Sequence, residues 1–424
     1  MGNYTERKDC RVCGNENLAP IFSLGEQYVT NFPDDPGKDY PKGPLDLVLC
    51  NKESGGCGLL QMKHTFDQDA MYRKYWYKSG ISSTMVKALE DVVKSAEKSV
   101  KLQLGDIVID IGSNDGTTLR HYGPGVVKVG FEPSNLWELG IEGNDKIIPD
   151  YFNYDAFRNE FGYEKAKVIT AIAMFYDLED PNKFVSDVKQ VMHPDGLFMI
   201  QMNYLGLMLK DLTFDNISHE HLEYYSLLSL ESLLKRHDLE AFDVETNDVN
   251  GGSFRIYIRH KDGNVNAREG AEKRLDEMRE QESRMGMDKK EVYDEFATKI
   301  KTVRDDLRTF LEQEVANGKS IYIFGASTRG LVVLQYAGID NKLIKAATDK
   351  NPDKFGKYIV GTGIQIKPLE EYRKEQPDYL FVLPYQFKKE MVKQEAEYLQ
   401  RGGKMIFALP KFTVVDKTAL EELQ

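Results

Sequence analysis

The chain has 424 residues, which at about 150 residues per domain predicts two or three domains. Its composition, 41% hydrophobic and 29% charged, is ordinary for a folded globular protein. Acidic residues outnumber basic ones by 68 to 56, which argues against a nucleic-acid partner because phosphate contacts draw on an excess of Lys and Arg. Since no apolar run has the length of a membrane span and the first residues lack a signal peptide's apolar stretch, we expect a cytoplasmic protein with no membrane partner.

All four cysteines lie near the start of the chain, as Cys10-x2-Cys13 and Cys50-x6-Cys57. Two such pairs can converge on one tetrahedral zinc ion, and four sulfur ligands leave no open position for chemistry. The second pair is wider than usual, so four unrelated cysteines or two disulfides are the alternatives. We expect a structural zinc site in a domain of residues 1–63, which is too small to bury a stable core alone.

Residues 64–100 show a helical pattern and are predicted to lead into the next domain. They include the aromatic residues Tyr72, Tyr75, Trp76 and Tyr77. Aromatic residues at this density indicate either packing between elements or contact with a ligand.

A Rossmann-like α/β domain is predicted over residues 64–245. Short apolar runs, typical of buried parallel strands, alternate with helical stretches. The runs are 107–109, 126–131, 168–172 and 197–200.

The first of these strands continues into a glycine turn with two acids, Asp110-Ile111-Gly112-Ser113-Asn114-Asp115-Gly116. In an open α/β sheet, ligands bind beyond the carboxyl ends of the strands. Carboxylates in the turn disfavour a pyrophosphate and suit the cationic aminoacyl end of S-adenosylmethionine. Glu132, at the end of the next strand, can accept hydrogen bonds from two ribose hydroxyls. A plain tight turn with a surface glutamate is the alternative.

Residues at the ends of neighbouring strands complete the expected cofactor site. Asp150 and the aromatic residues after it would flank the adenine, and 171–176 would border the sulfonium. The candidates are Asp110, Gly112, Asp115, Glu132, Pro133, Ser134, Asp150, Ala171 and Met174.

Two of the seven histidines lie close together, as His219-Glu220-His221. On a strand or extended loop the two histidines would share one face, with Glu220 on the other. A metal site would need a third ligand and lacks the helical H-E-x-x-H spacing. The remaining interpretations are structural histidines and general acid–base catalysis, since imidazole titrates near neutral pH.

The remaining residues, 246–424, are predicted to form a third domain. Residues 265–318 have the spacing of one or two amphipathic helices. A second Rossmann-like unit is predicted over 319–410, with strands at 321–324, 344–348, 379–382 and 404–407. The backbone N–H groups of Gly325–Gly330 open a helix and could bind an anion.

Taken in order, the four cysteines, the 110–116 turn, His219-Glu220-His221, Asn250–Arg255 and the C-terminal α/β unit resemble the sugar-nucleotide C-methyltransferases of deoxysugar branching. The resemblance extends over most of the chain. It implies that the cysteines bind zinc, and that Gly112, Asn114 and Glu132 contact S-adenosylmethionine. It also implies an active-site Glu220–His221 pair, with His221 as the base, and an active-site Tyr77.

The same resemblance implies a nucleotide-diphosphate-sugar substrate bound by 250–255 and 325–330. Arg255 and Arg329 could clamp diphosphate oxygens with bidentate hydrogen bonds, and Asp349 could contact the nucleotide or lie at the surface. The expected substrate-binding residues are Asn250, Gly252, Ser253, Arg255, Gly325, Ala326, Thr328, Arg329, Gly330, Asp349 and Pro384.

Two positions depart from the family pattern. Ser218 replaces a tyrosine, and Phe175-Tyr176-Asp177 stands where the family often has a histidine. The family chemistry removes a proton from C3 of a 4-keto sugar and methylates the resulting carbanion. We expect His221 as base, with Glu220 orienting it or sharing the role, and Tyr77, Tyr176 or His219 as donor to the enolate oxygen.

Three other functions remain open at the level of the sequence. One is O- or N-methylation of a sugar nucleotide. A nicotinamide oxidoreductase using Gly325–Gly330 would lack G-x-G-x-x-G and leave the Gly112 turn unexplained, and a non-catalytic zinc scaffold would leave His219-Glu220-His221 unexplained. We expect a monomer or small homo-oligomer of three-domain chains, with the active site where the domains meet and the zinc domain anchoring the Tyr77 segment.

Overall fold

The computed structural model describes residues 4–73 and 75–420, so the expected outer limits at residues 1 and 424 lie outside the described part. Its N-terminal domain is built on a small antiparallel sheet, with strand order β11-β4-β3-β2, flanked by the β1–β5 pair. The strands are β1 (Tyr4–Glu6), β2 (Leu18–Tyr28), β3 (Lys42–Cys50), β4 (Leu60–Met62) and β5 (His64–Phe66).

The lead-in contains two helices, α1 (Gln68–Tyr72) and α2 (Ser83–Ser99), rather than the continuous helical stretch expected over 64–100. It begins as strand β5, and the residues around Trp76 are not helical. The reason is a tertiary contact, because the N–H of Tyr75 donates to the side chain of Asn135 (2.8 Å), 60 residues away in sequence, instead of to a carbonyl one turn back.

The central domain has a seven-stranded sheet in the order β12-β13-β10-β9-β6-β7-β8. All neighbouring pairs are parallel except those that involve β13. Its strands are β6 (Ile107–Ile111), β7 (Val127–Phe131), β8 (Lys146–Ile148), β9 (Ala166–Ile172), β10 (Met192–Asn203), β12 (Leu239–Asn247) and β13 (Ser253–His260). Its helices are α3 (Thr117–Arg120), α4 (Trp137–Gly140), α5 (Tyr154–Phe161), α6 (Pro181–Val191), α7 (Leu205–Asp211) and α8 (Leu227–Lys235). The four strands predicted from apolar runs are all present.

Two strands cross the domain limits expected from the sequence. Strand β13 pairs with both β10 and β12, so the limit between residues 245 and 246 cuts through a hairpin of the central sheet. Strand β11 (Glu223–Tyr224) pairs with β4 and therefore belongs to the N-terminal sheet. These pairings join segments far apart in sequence, which local patterns do not reveal.

The C-terminal domain begins with two helices, α9 (Ala271–Met285) and α10 (Lys290–Ala316), as predicted. A second seven-stranded sheet follows, in the order β16-β17-β15-β14-β18-β19-β20, with antiparallel edge strands β16 and β20. Its strands are β14 (Ile321–Phe324), β15 (Ala346–Asp349), β16 (Tyr358–Ile359), β17 (Ile364–Pro368), β18 (Tyr379–Val382), β19 (Lys404–Phe407) and β20 (Thr413–Val415). Its helices are α11 (Gly330–Tyr336), α12 (Leu369–Glu375), α13 (Lys388–Gln394) and α14 (Ala396–Gln400).

Short 3-10 turns connect several of these elements. They are Lys52–Ser54, Ser79–Ile81, Phe175–Asp177, Phe214–Asn216, Val249–Gly251, Pro352–Lys354, Tyr385–Phe387 and Lys417–Leu420. Within residues 4–73 and 75–420, no helix is both long and apolar enough for a bilayer span.

Candidate active site

A single cavity of about 740 Å³ lies where the three domains meet, a volume within the usual range for small-molecule sites. The carboxyl ends of strands from both large sheets line it, together with the non-helical part of the lead-in. The N-terminal domain contributes Thr30. One cavity can therefore hold a cofactor and a second ligand side by side.

The cofactor end of the cavity is built on the turn after β6. Gly112 has φ of 68°, and a Cβ there would lie 3.2 Å from Cγ of Met174, so glycine leaves room that a side chain would fill. Both oxygens of Glu132 accept backbone hydrogen bonds, from Asn114 at 2.7 Å and from Ser134 at 2.9 Å. Because each carboxylate oxygen has two lone pairs, the fixed carboxylate can still accept ribose hydroxyls. These residues fit S-adenosylmethionine.

Three of the expected cofactor residues do not line the cavity: Asp115, Asp150 and Ala171. The other seven do. Among them Asp110 is buried, accepts the Thr170 hydroxyl at 2.6 Å, and has its pKa raised to about 7 by burial.

Residues 75–82, which we call the strap, cross the cofactor end and are held by the same turn. The side chain of Asn114 accepts from the N–H of Ser79 and donates to the carbonyl of Tyr77, both at 3.0 Å. Asp115 accepts from the N–H of Gly80 at 2.7 Å, so its carboxylate holds the strap. Tyr77 lines the cavity as expected.

The His219-Glu220-His221 segment forms a turn in which the N–H of His221 donates to the carbonyl of Ser218 at 3.1 Å. The segment is therefore not the strand or extended loop on which the two histidines would share a face. Glu220 and His221 line the cavity, whereas Nε2 of His219 lies 3.1 Å from the carbonyl of Gly43, outside the cavity lining. His219 is thus not placed to contact a substrate.

The imidazole of His221 is held in one tautomer. Its Nδ1 lies 2.7 Å from the carbonyl oxygen of Asn216, which can only accept, so Nδ1 carries the hydrogen and Nε2 keeps a lone pair. Burial, and secondly the positive charge of Arg329, lower the pKa of His221 to about 3, so the ring is neutral at pH 7. The ring of Tyr176 packs beside it, with centroids 4.3 Å apart.

Glu220 has the opposite shift, because burial raises its pKa to about 7. Its backbone carbonyl accepts the hydroxyl of Tyr72 at 3.0 Å. Tyr72 and Asp177 also line this region of the cavity, and burial raises the pKa of the Asp177 carboxyl. Ser218 and Tyr176, the two departures from the family pattern, both line the cavity.

The N-terminal sheet positions this segment directly. Strand β11 follows His221 immediately and pairs with β4, and the N–H of Met62 donates to the carbonyl of Leu222 at 2.8 Å. The N–H of Leu222 in turn donates to the carbonyl of Tyr176 at 2.8 Å. The N-terminal domain also reaches the strap, where Phe32 packs edge-on against Trp76 at 5.5 Å.

The four cysteines converge as a zinc site requires, and none forms a disulfide. Their sulfur atoms all lie within 4.8 Å of one another, with Cys10–Cys57 and Cys13–Cys50 separations of 3.5 Å. Zinc bound at about 2.3 Å from each sulfur requires sulfur–sulfur edges of about 3.8 Å. The four thiolates therefore fit one tetrahedral zinc ion.

The two arginines expected to clamp a diphosphate lie in different places. Arg255 is buried outside the cavity lining, where it pairs with Asp91 at 2.9 Å and with Glu245 at 3.1 Å. Because its guanidinium is occupied by these partners and by Gln201 (2.8 Å), it does not form the expected clamp. Arg329 does line the cavity and pairs with Asp215 at 2.7 Å.

The glycine loop after β14 offers fewer free N–H groups than its sequence suggests. The N–H groups of Gly325 and Ala326 donate to the carbonyl of Thr348, at 2.9 and 3.2 Å, and that of Gly330 donates to the hydroxyl of Ser327. Among the residues described, the N–H groups of Thr328 and Arg329 have no such partner.

Most of the expected substrate residues line the cavity, and five do not. Those lining it are Asn250, Gly325, Thr328, Arg329, Asp349 and Pro384; those outside the lining are Gly252, Ser253, Arg255, Ala326 and Gly330.

One cation at this end was not predicted. Lys354 is almost fully buried, lines the cavity, and donates to the carbonyl of Ala326 at 2.8 Å and to Asp349 at 3.0 Å. Its ammonium also lies 4.5 Å from the centroid of the Phe32 ring, and as a cation in the cavity lining it can attract an anionic ligand. Nothing in the sequence distinguishes Lys354 from the neighbouring lysines, because its importance comes from the fold around it.

Family models match all three domains, in the order in which the domains follow along the chain. Family models match at residues 10–72 (a zinc binding domain), 84–244 (a methyltransferase domain) and 248–410 (the C-methyltransferase C-terminal domain). The chain is 30% identical over 421 residues to the C-methyltransferase NovU of Streptomyces niveus, covering 96% of each chain.

Solved structures resemble a smaller part of the chain. The plantazolicin methyltransferase BpumL in complex with SAH is 12% identical, with 40% of this chain and 81% of that one covered and a TM-score of 0.33. The YcgJ protein of Bacillus subtilis is 15% identical, with 41% and 96% covered and a TM-score of 0.31.

Proposed function

This chain belongs to the family of C-methyltransferases, S-adenosylmethionine-dependent enzymes with an N-terminal zinc-binding domain, and we propose that its substrate is a nucleotide-linked keto-deoxysugar methylated at C3 beside a 4-ketone. The observation that carries the proposal is the single cavity, which joins the Gly112 turn, the Glu220–His221 pair and the Gly325 loop. A methyl donor, a base and a nucleotide-holding loop can thus act on one substrate.

Proton removal is assigned to the Glu220–His221 pair. His221 lines the cavity with Nε2 as its remaining acceptor, and its bond to Asn216 fixes the ring so that no reorientation is needed. Glu220, which also lines the cavity and has its pKa raised to about 7 by burial, shares the role of base when its carboxyl is ionised. S-adenosylmethionine, bound at the cofactor end, supplies an electrophilic methyl group for the carbanion.

The nucleotide end of the substrate is assigned to the C-terminal domain. The Lys354 ammonium, which donates to Ala326, lies at the Gly325 loop together with the backbone N–H groups of Thr328 and Arg329, which have no backbone acceptor among the described residues. An ammonium group and backbone donors together suit a diphosphate. Binding this remote group holds the sugar beside the base, which converts binding energy into orientation.

The direct test is hydrogen exchange at C3. A 4-keto-deoxysugar nucleotide carrying deuterium at C3 should lose the label in the presence of enzyme alone, because enolisation precedes methyl transfer. O- or N-methylation needs no such exchange, so retention of the label would support that alternative instead. Calorimetry with S-adenosylhomocysteine should show binding in the same preparation.

A further inference from the structure

The sugar chemistry proposed above needs a hydrogen-bond donor for the enolate oxygen, and the C-terminal domain places a guanidinium next to the base. Arg329 extends from the Gly325 loop to Asp215, a residue of the central domain, and their ion pair is 2.7 Å long. Asp215 is followed by Asn216, whose carbonyl holds His221. The guanidinium and the imidazole are therefore anchored to adjacent residues of one turn, Phe214–Asn216.

The guanidinium is fixed from several sides before any substrate binds. Besides Asp215, it donates to the hydroxyl of Tyr385 at 3.0 Å and to the carbonyl of Asn250. The Arg329 side chain is only 15% exposed, so these partners restrict it to one position. A donor held in this way costs no reorganisation when charge develops beside it.

One donor of this guanidinium is still free. The Nε–H of Arg329 is buried and has no acceptor within the described part of the chain. A buried donor without a partner is destabilising, because its lost hydrogen bond to water is not replaced. The partners Asp215, Tyr385 and Asn250 account for three of the five N–H groups, and because Arg329 lines the cavity, a ligand oxygen can accept from the guanidinium there.

The pKa shifts of His221 and Tyr176 show that the Arg329 charge acts on both side chains. The Arg329 cation lowers the pKa of His221, after burial, and it also opposes the burial-induced rise in the pKa of Tyr176. Its field therefore favours negative charge at this end of the cavity. Lys354 is the cation on the opposite side of the Gly325 loop, paired with Asp349.

We propose that Arg329 is a catalytic residue, which donates to the 4-oxygen of the sugar as the enolate forms, and that it is not the diphosphate clamp. This role rests on the proposed function. In the step, the C3–H bond breaks and the proton goes to Nε2 of His221. The electron pair of that bond forms the C3–C4 double bond, and the carbonyl π pair moves to the oxygen, which accepts from Arg329.

The experiment measures nucleotide affinity and enolisation separately in the wild type and in Arg329→Lys, Arg329→Met and Lys354→Ala. Nucleotide affinity is the Kd of the tightest binder among ADP, GDP, CDP, UDP and TDP. Enolisation is the rate of C3 deuterium loss at saturating 4-keto-deoxysugar nucleotide, without the methyl donor. Arg401→Ala, at an exposed arginine of the same domain, is the matched control.

The two Arg329 variants should keep the nucleotide Kd within about twofold while exchange falls about 100-fold or more, the usual loss on removing an oxyanion donor. Lys354→Ala should keep the exchange rate at saturating substrate and raise the nucleotide Kd about tenfold or more. In a third variant, Arg329→Ala, added guanidinium should partly restore exchange, whereas sodium chloride at equal ionic strength should not.

Three results would overturn the inference. An Arg329 variant with a wild-type rate of C3 exchange would show that the guanidinium is not catalytic. A variant whose only defect is weaker nucleotide binding would assign Arg329 to the diphosphate. Absence of rescue together with loss of the folded circular-dichroism signal in all Arg329 variants would make its role structural. A wild-type enzyme that shows no exchange would instead refute the proposed sugar chemistry itself.

Discussion

At the scale of single residues, the base of the site is set by a backbone carbonyl and by burial. Asn216 fixes the His221 tautomer, and burial keeps the ring neutral. Burial also raises the pKa of Glu220 to about 7. The two neighbours are therefore shifted in opposite directions by one cause, because desolvation disfavours whichever form is charged.

These shifts predict the pH dependence of C3 exchange. Glu220 assists only when ionised, so the rate should fall about tenfold per unit as the pH drops below 7, and level off above it. Protonation of His221 should not contribute in this range, because its pKa is lowered to about 3. The rate is measured from pH 5 to 9 at saturating substrate.

Glu220→Gln is the matched variant for this prediction. It keeps the shape of the side chain and removes the titration, so its slower rate should not change between pH 6 and 8. A wild-type profile without a change near pH 7, or a variant that keeps that change, would show that Glu220 does not assist the base.

At the scale of elements, the strap shows how side chains redirect a chain that has helical spacing. Asn114 and Asp115 supply the hydrogen-bond partners that a helix would otherwise provide for Ser79 and Gly80. The strap is thereby fixed across the cofactor end, with Tyr77 in the cavity lining. Closure of the cofactor site consequently depends on a few side-chain hydrogen bonds.

Asn114→Gly tests that dependence, because glycine tolerates the φ of 53° at this position and removes both hydrogen bonds to the strap. Each of the two lost bonds costs about 1 kcal/mol, so S-adenosylhomocysteine should bind up to about 30-fold more weakly by calorimetry. The amides of Ser79 and Gly80 should also exchange with solvent faster.

Gln376→Gly is the control for the strap, since it too relieves a positive φ (47°) but lies at the end of α12. It should leave both the affinity and the strap amides unchanged. If Asn114→Gly weakens binding without faster exchange at Ser79 and Gly80, then Asn114 acts by direct contact with the ligand and the strap does not control affinity.

At the scale of the whole molecule, the zinc domain is connected to catalysis through a shared sheet. Strand β11 leads directly from His221 into pairing with β4, whose neighbour β3 ends at the ligand Cys50. Structural zinc contributes folding free energy outright to small domains. Loss of the metal should therefore reach the active site through three paired strands.

Cys57→Ser should abolish binding of one zinc per chain, measured by mass spectrometry of the metal, and lower the thermal midpoint of the N-terminal domain. C3 exchange should fall at least about tenfold because the β11–β4 pairing no longer holds the His221 turn. Ser54→Ala, at a neighbouring exposed position, should change none of these three quantities. Full exchange activity in a zinc-free variant would contradict this connection.

The sequence by itself determined the features that depend on local order. Alternating apolar runs specify the buried parallel strands, the cysteine spacing specifies the zinc ligands, and the Gly112 turn with Glu132 specifies the cofactor end. Each of these signals comes from residues that act within one element or on one bound ion. These features can be predicted from sequence because backbone geometry fixes the spacing of the residues involved.

Only the tertiary structure decided which of several equivalent side chains reach the cavity. The sequence predicts the same role for Arg255 and Arg329. In the structure Arg255 is paired inside the central domain, whereas Arg329 pairs with Asp215, next to the residue that holds His221. Likewise, Glu220 lines the cavity but the adjacent His219 does not, and the fold directs Lys354 to the Gly325 loop. The reason is physical, since a side chain's direction and burial depend on strand pairings between distant segments, and the pKa values that make the chemistry possible follow from that burial.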